Sequence, residues 1–157
     1  MRSITVIYLM VLGMMIGIEL AAGAFVAPVI FFPQTLLGEG ILSHFQSGIL
    51  MTEIFLRMNT LLLFVGLFSV LFEIIAWVSK ANHKDRSALL LSLTAVVLAF
   101  LFIYYYTPFI QEAQAKGALQ TATDAFRSMH KQSEWVMKAL MMVQIGLFLR
   151  RGIVLGK

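Results

Sequence analysis

Four stretches of the chain are almost uninterruptedly apolar: residues 4–32, 58–79, 87–106 and 133–149. About 20 apolar residues in helical form cross the ~30 Å hydrocarbon core of a bilayer, so each stretch reads as a membrane span. The fourth is the shortest and carries Glu134 and Lys138 at its start, where the lysine can reach back to the interface. Apolar residues also recur at helical spacing ahead of two spans. Ile41, Phe45, Ile49, Thr52 and Phe55 precede the second, and Leu119, Ala122, Phe126, Met129 and Ser133 lead into the fourth. No proline or turn cluster separates these segments from the spans that follow. The pattern predicts one helix over about 41–79 and another over about 118–150, with the 41–57 and 118–132 portions outside the membrane. Pro28 and Pro33 should bend or end the first helix, Gly38 and Gly40 allow the turn after it, and Pro108 should break or kink the chain after the third. The expected fold is all-α. It is a single domain over residues 1–157, an integral membrane antiparallel four-helix bundle with helices 2 and 4 extended beyond the outer membrane face.

Spacing also assigns faces. Thr52, Asn59, Gly66 and Glu73 lie seven apart and form one stripe, drifting about 20° per heptad. Polar and small residues within a lipid-embedded helix should face protein. Gly13 and Gly17 form a GxxxG close-approach surface, read as packing inside the bundle or as a contact between two copies. The first span follows Arg2 and contains small residues near Ala22, as a signal peptide would. Its apolar run is far longer than a 7–15-residue signal core and Glu19 interrupts it, so it is read as an uncleaved helix.

Composition then narrows the class. Of the 157 residues, 60% are apolar and 13% charged, against about 45–50% and 25% in soluble domains. That balance excludes a soluble globular enzyme and a disordered chain. The net charge of +4 does not signal nucleic acid, because the basic residues cluster at span ends. Arg2, Lys80, Lys84, Arg86, Arg150, Arg151 and Lys157 fall on one side with only Asp85 against them, while acids and bases on the other side cancel. The positive-inside rule places both termini and the 80–86 loop in the cytoplasm, which makes this a multi-pass inner-membrane protein. Trp77, Trp135 and Tyr104–Tyr106 lie near span ends, as interfacial aromatics do.

Candidate chemistry is sparse. The absence of cysteine removes disulfides and thiolate chemistry. No hydrolase, nucleotide-binding or zinc-protease motif occurs, so a non-catalytic protein is favoured. Glu19 and Glu73 are carboxylates within spans, and such groups must be neutralised, paired or hydrated. Arg57 is a candidate partner for Glu19, with Glu53 four residues before it able to share the guanidinium. Glu19, Arg57, Glu53, Asn59 and Glu73 are thus candidates for an ion or proton pathway, with a structural clamp between helices 1 and 2 as the alternative for Glu19. Asn59 and Gln144 suit interhelical hydrogen bonds. His130 and Glu134 share a helix face, and with His44 and Met129 they form a candidate outer-face site for copper or zinc. Haem held by the same two histidines is the weakest of these readings, and His83 reads as solvated loop.

Two segments carry a resemblance. Residues 23–31, Gly-Ala-Phe-Val-Ala-Pro-Val-Ile-Phe, together with Thr107-Pro108, resemble the small bacterial membrane proteins akin to transmembrane protein 205. Residues 126–133 are similar to that family's F-x-x-L-H-x-x-S start of helix 4, with Met129 in place of leucine. The resemblance implies a four-helix membrane fold within a wider group that includes copper-resistance-D-like and haem-binding proteins. Its own biochemical function is largely undefined. The histidines that the haem-binding relatives use inside the membrane are absent here.

Three functions follow as expectations. The first is cation or copper-like metal handling or tolerance, through an intramembrane carboxylate and the outer His and Met residues. The second is a non-catalytic subunit or assembly partner, with the lipid bilayer and a membrane protein or a second copy as partners. The third is a haem-carrying redox protein.

Overall fold

The computed structural model of the protein describes residues 2–38, 40–79 and 85–156. All regular structure among them is helical. Helix α1 spans Arg2–Phe31, α2 Gln34–Leu37, α3 His44–Val78, α4 Arg86–Ala115, α5 Ala118–Thr121 and α6 Asp124–Leu155. Helices α1, α3 and α4 are each long and apolar enough to cross a membrane. The 35 residues of α3 extend about 52 Å at 1.5 Å per residue, well beyond a bilayer core. Helix α6 is nearly as long, at 32 residues, but Glu134, Lys138, Gln144, Arg150 and Arg151 interrupt its apolar run.

Helix ends follow local chemistry. Ser43 and Gln46 form a reciprocal capping box at the start of α3. Asp85 accepts from the Ala88 N–H at the start of α4, and Thr123 from the Phe126 N–H at the start of α6. Thr123 is why the helix expected over 118–150 is in fact two: α5 ends at Thr121, and α6 restarts after the cap and runs on to Leu155.

Pro108 does not break the chain. It lies inside α4, as Pro28 lies inside α1, and both helices continue beyond their prolines. Proline lacks an N–H, and its ring clashes with the carbonyl four residues back. Each of the two is preceded by a wider π turn, Ala22–Val26 in α1 and Phe102–Tyr106 in α4. There the Ala27 and Thr107 N–H groups donate to carbonyls five residues back, Ala22 O and Phe102 O. The extra residue absorbs the mismatch that proline introduces. Helix α1 ends at Phe31, ahead of Pro33.

Helix α1 packs against α3 and α6, and α4 packs against the same two. Contacts between helix ends show that successive long helices reverse direction. Ser47 Oγ, early in α3, donates to Ile30 O at the end of α1, and Gln114 Nε2, late in α4, donates to Thr52 Oγ1. Ala88, Ser92, Ala95 and Ala99 are all buried on α4, a small-residue face that lets its neighbours approach closely. Gly13 of the GxxxG pair also faces inward: a methyl added there would lie 3.3 Å from the Phe148 ring of α6. Gly17 borders open space.

The apolar helices expose large apolar side chains and bury several polar ones. Ile7, Met14, Phe64, Leu71, Val97 and Met142 are exposed, whereas Glu19, Asn59, Glu73, Gln144 and Arg151 are buried. An apolar perimeter, with the few polar side chains of the spans turned inward among apolar core residues, is what a lipid solvent selects. Met15, Met51 and Met58 fill the core between these groups.

Candidate functional site

The polar stripe of α3 faces protein along its whole length. Thr52 accepts from Gln114, and Asn59 Nδ2 donates to Thr107 Oγ1 at 3.3 Å. Gly66 is buried against Val96, and Glu73 meets α6. The Thr107 hydroxyl in turn donates to Phe102 O, the carbonyl that closes the second π turn. Asn59 Oδ1, however, is buried with no hydrogen-bond partner.

Glu73 is fully paired. Arg151 Nε donates to Glu73 Oε1 at 2.7 Å, and Arg151 Nη2 bonds to Oε2, making a bidentate pair. Both side chains are shut away from solvent, at 3% exposure for arginine and 0% for glutamate. Phe72 of α3 borders the site: Arg151 lies over its ring at 5.6 Å, and Tyr8 of α1 stacks on it at 4.1 Å. Alongside, Arg150 Nε donates to Asp85 Oδ2 at 2.8 Å. Burial pushes the Asp85 carboxyl up, but the hydrogen bonds from Arg150 and the Ala88 N–H, with the positive charges of Arg150 and Arg151, hold it below the usual carboxylate range.

Glu19 is as buried, at 6% exposure, but neither of its oxygens has a hydrogen-bond partner. Gln144 of α6 lies near enough to act as a donor toward Glu19 without closing a hydrogen bond, and its Oε1 is likewise buried and unpartnered. The pairing of Glu19 with Arg57 does not form. Arg57 Nε donates instead to Glu53 Oε1 at 2.9 Å, one turn away, and the arginine side chain is 80% exposed. The physical reason is register, since Met58 and Asn59 occupy the buried face of α3 and Arg57 falls outside it.

The histidines form local pairs. His130 Nε2 lies 3.3 Å from Glu134, as their spacing foretold, and Lys138 shares that carboxylate at 3.5 Å. The His130 ring stacks on Phe126, with Met129 half-buried beside it in sequence, while His44 sits against Phe31. Among the described residues no three His, Asp or Glu side chains gather to hold a metal. His83, Lys80 and Lys84 lie outside the described residues.

Residues 10–119 match the family described as Domain of unknown function (DUF4149). The chain belongs to that family. No curated protein and no solved structure matches it. The DUF4149 match covers Glu19, Asn59 and Glu73 but ends before α6, which supplies Gln144 and Arg151.

Arg151 is the important residue that sequence reasoning misplaced, as a topology charge. A signal for it existed. Leu140, Gln144, Leu147 and Arg151 follow helical spacing, and all four are buried. A charge that continues an inward-facing stripe marks an interior partner rather than a loop.

Proposed function

We propose that the protein is a four-span inner-membrane protein, with both termini and the 80–86 segment in the cytoplasm, that binds a cation at Glu19 and passes it between its two sides. The observation that carries this reading is a buried carboxylate, inside an apolar helix, with neither oxygen satisfied. An acceptor held in that state is ready for a positively charged ligand, because burying it alone is costly. Asn59, with one orphan oxygen, offers a further polar position in the interior. Glu73 is spent on Arg151 and serves as the lock that joins α3 to α6. Glu53 and Arg57 lie at the outer rim. The resemblance to the transmembrane protein 205 group is compatible with a role in cation tolerance.

The test is flux. The full chain is reconstituted in vesicles carrying a pH-sensitive or a cation-sensitive dye and compared with Glu19→Gln. Cation movement lost in the variant, with its melting temperature little changed, supports the proposal. Equal flux in the two overturns it.

A second reading, a non-catalytic subunit, is favoured by the outer surface. Leu36, Leu37 and Leu119 are 70%, 64% and 90% exposed on the two short helices. Crosslinking through 118–132 in native membranes should then trap one defined partner, and recovery of monomer alone counts against it.

A further inference from the structure

Glu19 and Gln144 together present three buried oxygens with no donor: Glu19 Oε1, Glu19 Oε2 and Gln144 Oε1. Resting on the reading of Glu19 as a cation site, we propose that the cation is a proton, held in a two-hydrogen-bond pair between the Glu19 carboxylic acid and the Gln144 amide.

The argument is one of donors and acceptors. A carboxylate offers acceptors only, and a primary amide offers one acceptor and two N–H donors. Facing a carboxylate, the amide can donate, but its own oxygen stays orphaned. One proton on Glu19 changes this. The acid O–H donates to Gln144 Oε1, and the acid carbonyl accepts from Gln144 Nε2. All three orphan atoms are then satisfied, and no net charge remains in the hydrocarbon. A metal ion does less well, since hard cations take about six or more oxygen ligands and these two side chains supply three.

The surrounding charges leave the pair to itself. On α3, Glu53 and Arg57 bond to each other at the surface, and Glu73 is held by Arg151 of α6. Elsewhere on α6, Glu134 is shared by His130 and Lys138, and Arg127 pairs with Asp124. On α1 itself, Tyr8 is eleven residues away, about 16 Å along the helix. No cation among these groups balances a charged Glu19, so the proton is the counter-charge. Glu19 lies three residues before the π turn Ala22–Val26. That is the place in α1 where the backbone pattern already departs from the α-helix, and where a change of register would part the acid from the amide.

Infrared difference spectra of the full chain in lipid at neutral pH test the proposal, with Glu19→Gln assigning the band. The expected spectrum contains a protonated-carboxyl C=O band that vanishes in Glu19→Gln. It moves to higher frequency in Gln144→Leu, where the acid loses its partner, and it ignores added sodium, potassium or copper. Should Gln144→Leu not fold, Gln144→Asn withdraws the amide by one methylene and must move the band in the same direction. A Glu19-dependent carboxylate band in its place, no Glu19-dependent acid band, or an acid band unmoved by the Gln144 variants overturns the proposal. The two readings fail separately. A protonated pair without flux in vesicles removes the function and leaves the pair, whereas flux with an ionised Glu19 removes the pair and leaves the function.

Discussion

Glu19 and Glu73 are the same residue type in comparable burial, on neighbouring apolar helices, yet their surroundings are opposite. Glu73 sits five residues from the end of α3, where Arg151 reaches it from near the end of α6 and fills both its oxygens. Glu19 lies deep within α1, opposite an amide rather than a cation. A buried ion pair is a fixed structure, since removing either partner strands the other. A buried acid opposite an amide can gain or lose a proton while its partner stays neutral. The contrast sets a carboxylate that fastens helices against one that, on the proposed reading, exchanges a ligand.

The largest expected effect follows from breaking the fastened one. Arg151→Met leaves Glu73 buried and unpaired and should destabilise the protein by about 3–5 kcal/mol, measured as unfolding in detergent. Adding Glu73→Met to the same chain should recover most of that loss, because apolar replacement of a whole buried pair is often neutral or better. A double variant as unstable as Arg151→Met alone would break the comparison from the Glu73 side.

Next in size is the exchanging carboxylate. Glu19→Gln keeps the shape and mimics the protonated acid, so it should cost less than about 1 kcal/mol, the scale of interhelical hydrogen bonds in membranes. Glu73→Gln, which strands Arg151, should cost several times more in the same unfolding assay. Equal costs for the two substitutions would make Glu19 a clamp like Glu73.

The sequence made the α3 side of this contrast legible and hid the α6 side. Thr52, Asn59, Gly66 and Glu73 could be aligned because a period of seven keeps one face of a helix, and all four meet protein. Glu19 stood out because a charge in an apolar run has no cheap explanation. Its partner did not: charge alone points to Arg57, but a side chain one position off the buried face turns to the surface and finds Glu53. Arg151 was hidden by its neighbour, since two adjacent arginines at a span end resemble a topology signal while α6 turns one inward and the other to Asp85. Pro28 and Pro108 sit inside helices that continue past them for a backbone reason: the π turn ahead of each leaves no mark in the hydrophobic pattern.

Asn59 stands between the two extremes, with its amide N–H bonded and its oxygen orphaned. Thr107→Val removes the acceptor that holds it and should cost about 0.6 kcal/mol, well below the loss at Arg151. A cost above that of Arg151→Met would place the main α3 fastening at Asn59 instead of Glu73.

A further modest effect concerns Asp85, which lies beside the Glu73–Arg151 pair. It caps α4 and bonds Arg150 beside the buried pair. Asp85→Asn keeps an oxygen for the Ala88 N–H but gives up the charge, so its cost should stay within about 1 kcal/mol. The sign with pH is fixed by the direction of the shift. Because the folded protein holds this carboxyl below its usual range, its contribution is complete above the unfolded value near 3.9. It is lost as pH falls through the lower, folded value. Wild type and Asp85→Asn should therefore differ in stability at neutral pH and converge in strong acid. A gap that persists below the folded value would mean that the cap geometry, not the charge, carries the contribution, and would remove Asp85 from the electrostatic lock that Glu73 and Arg151 anchor.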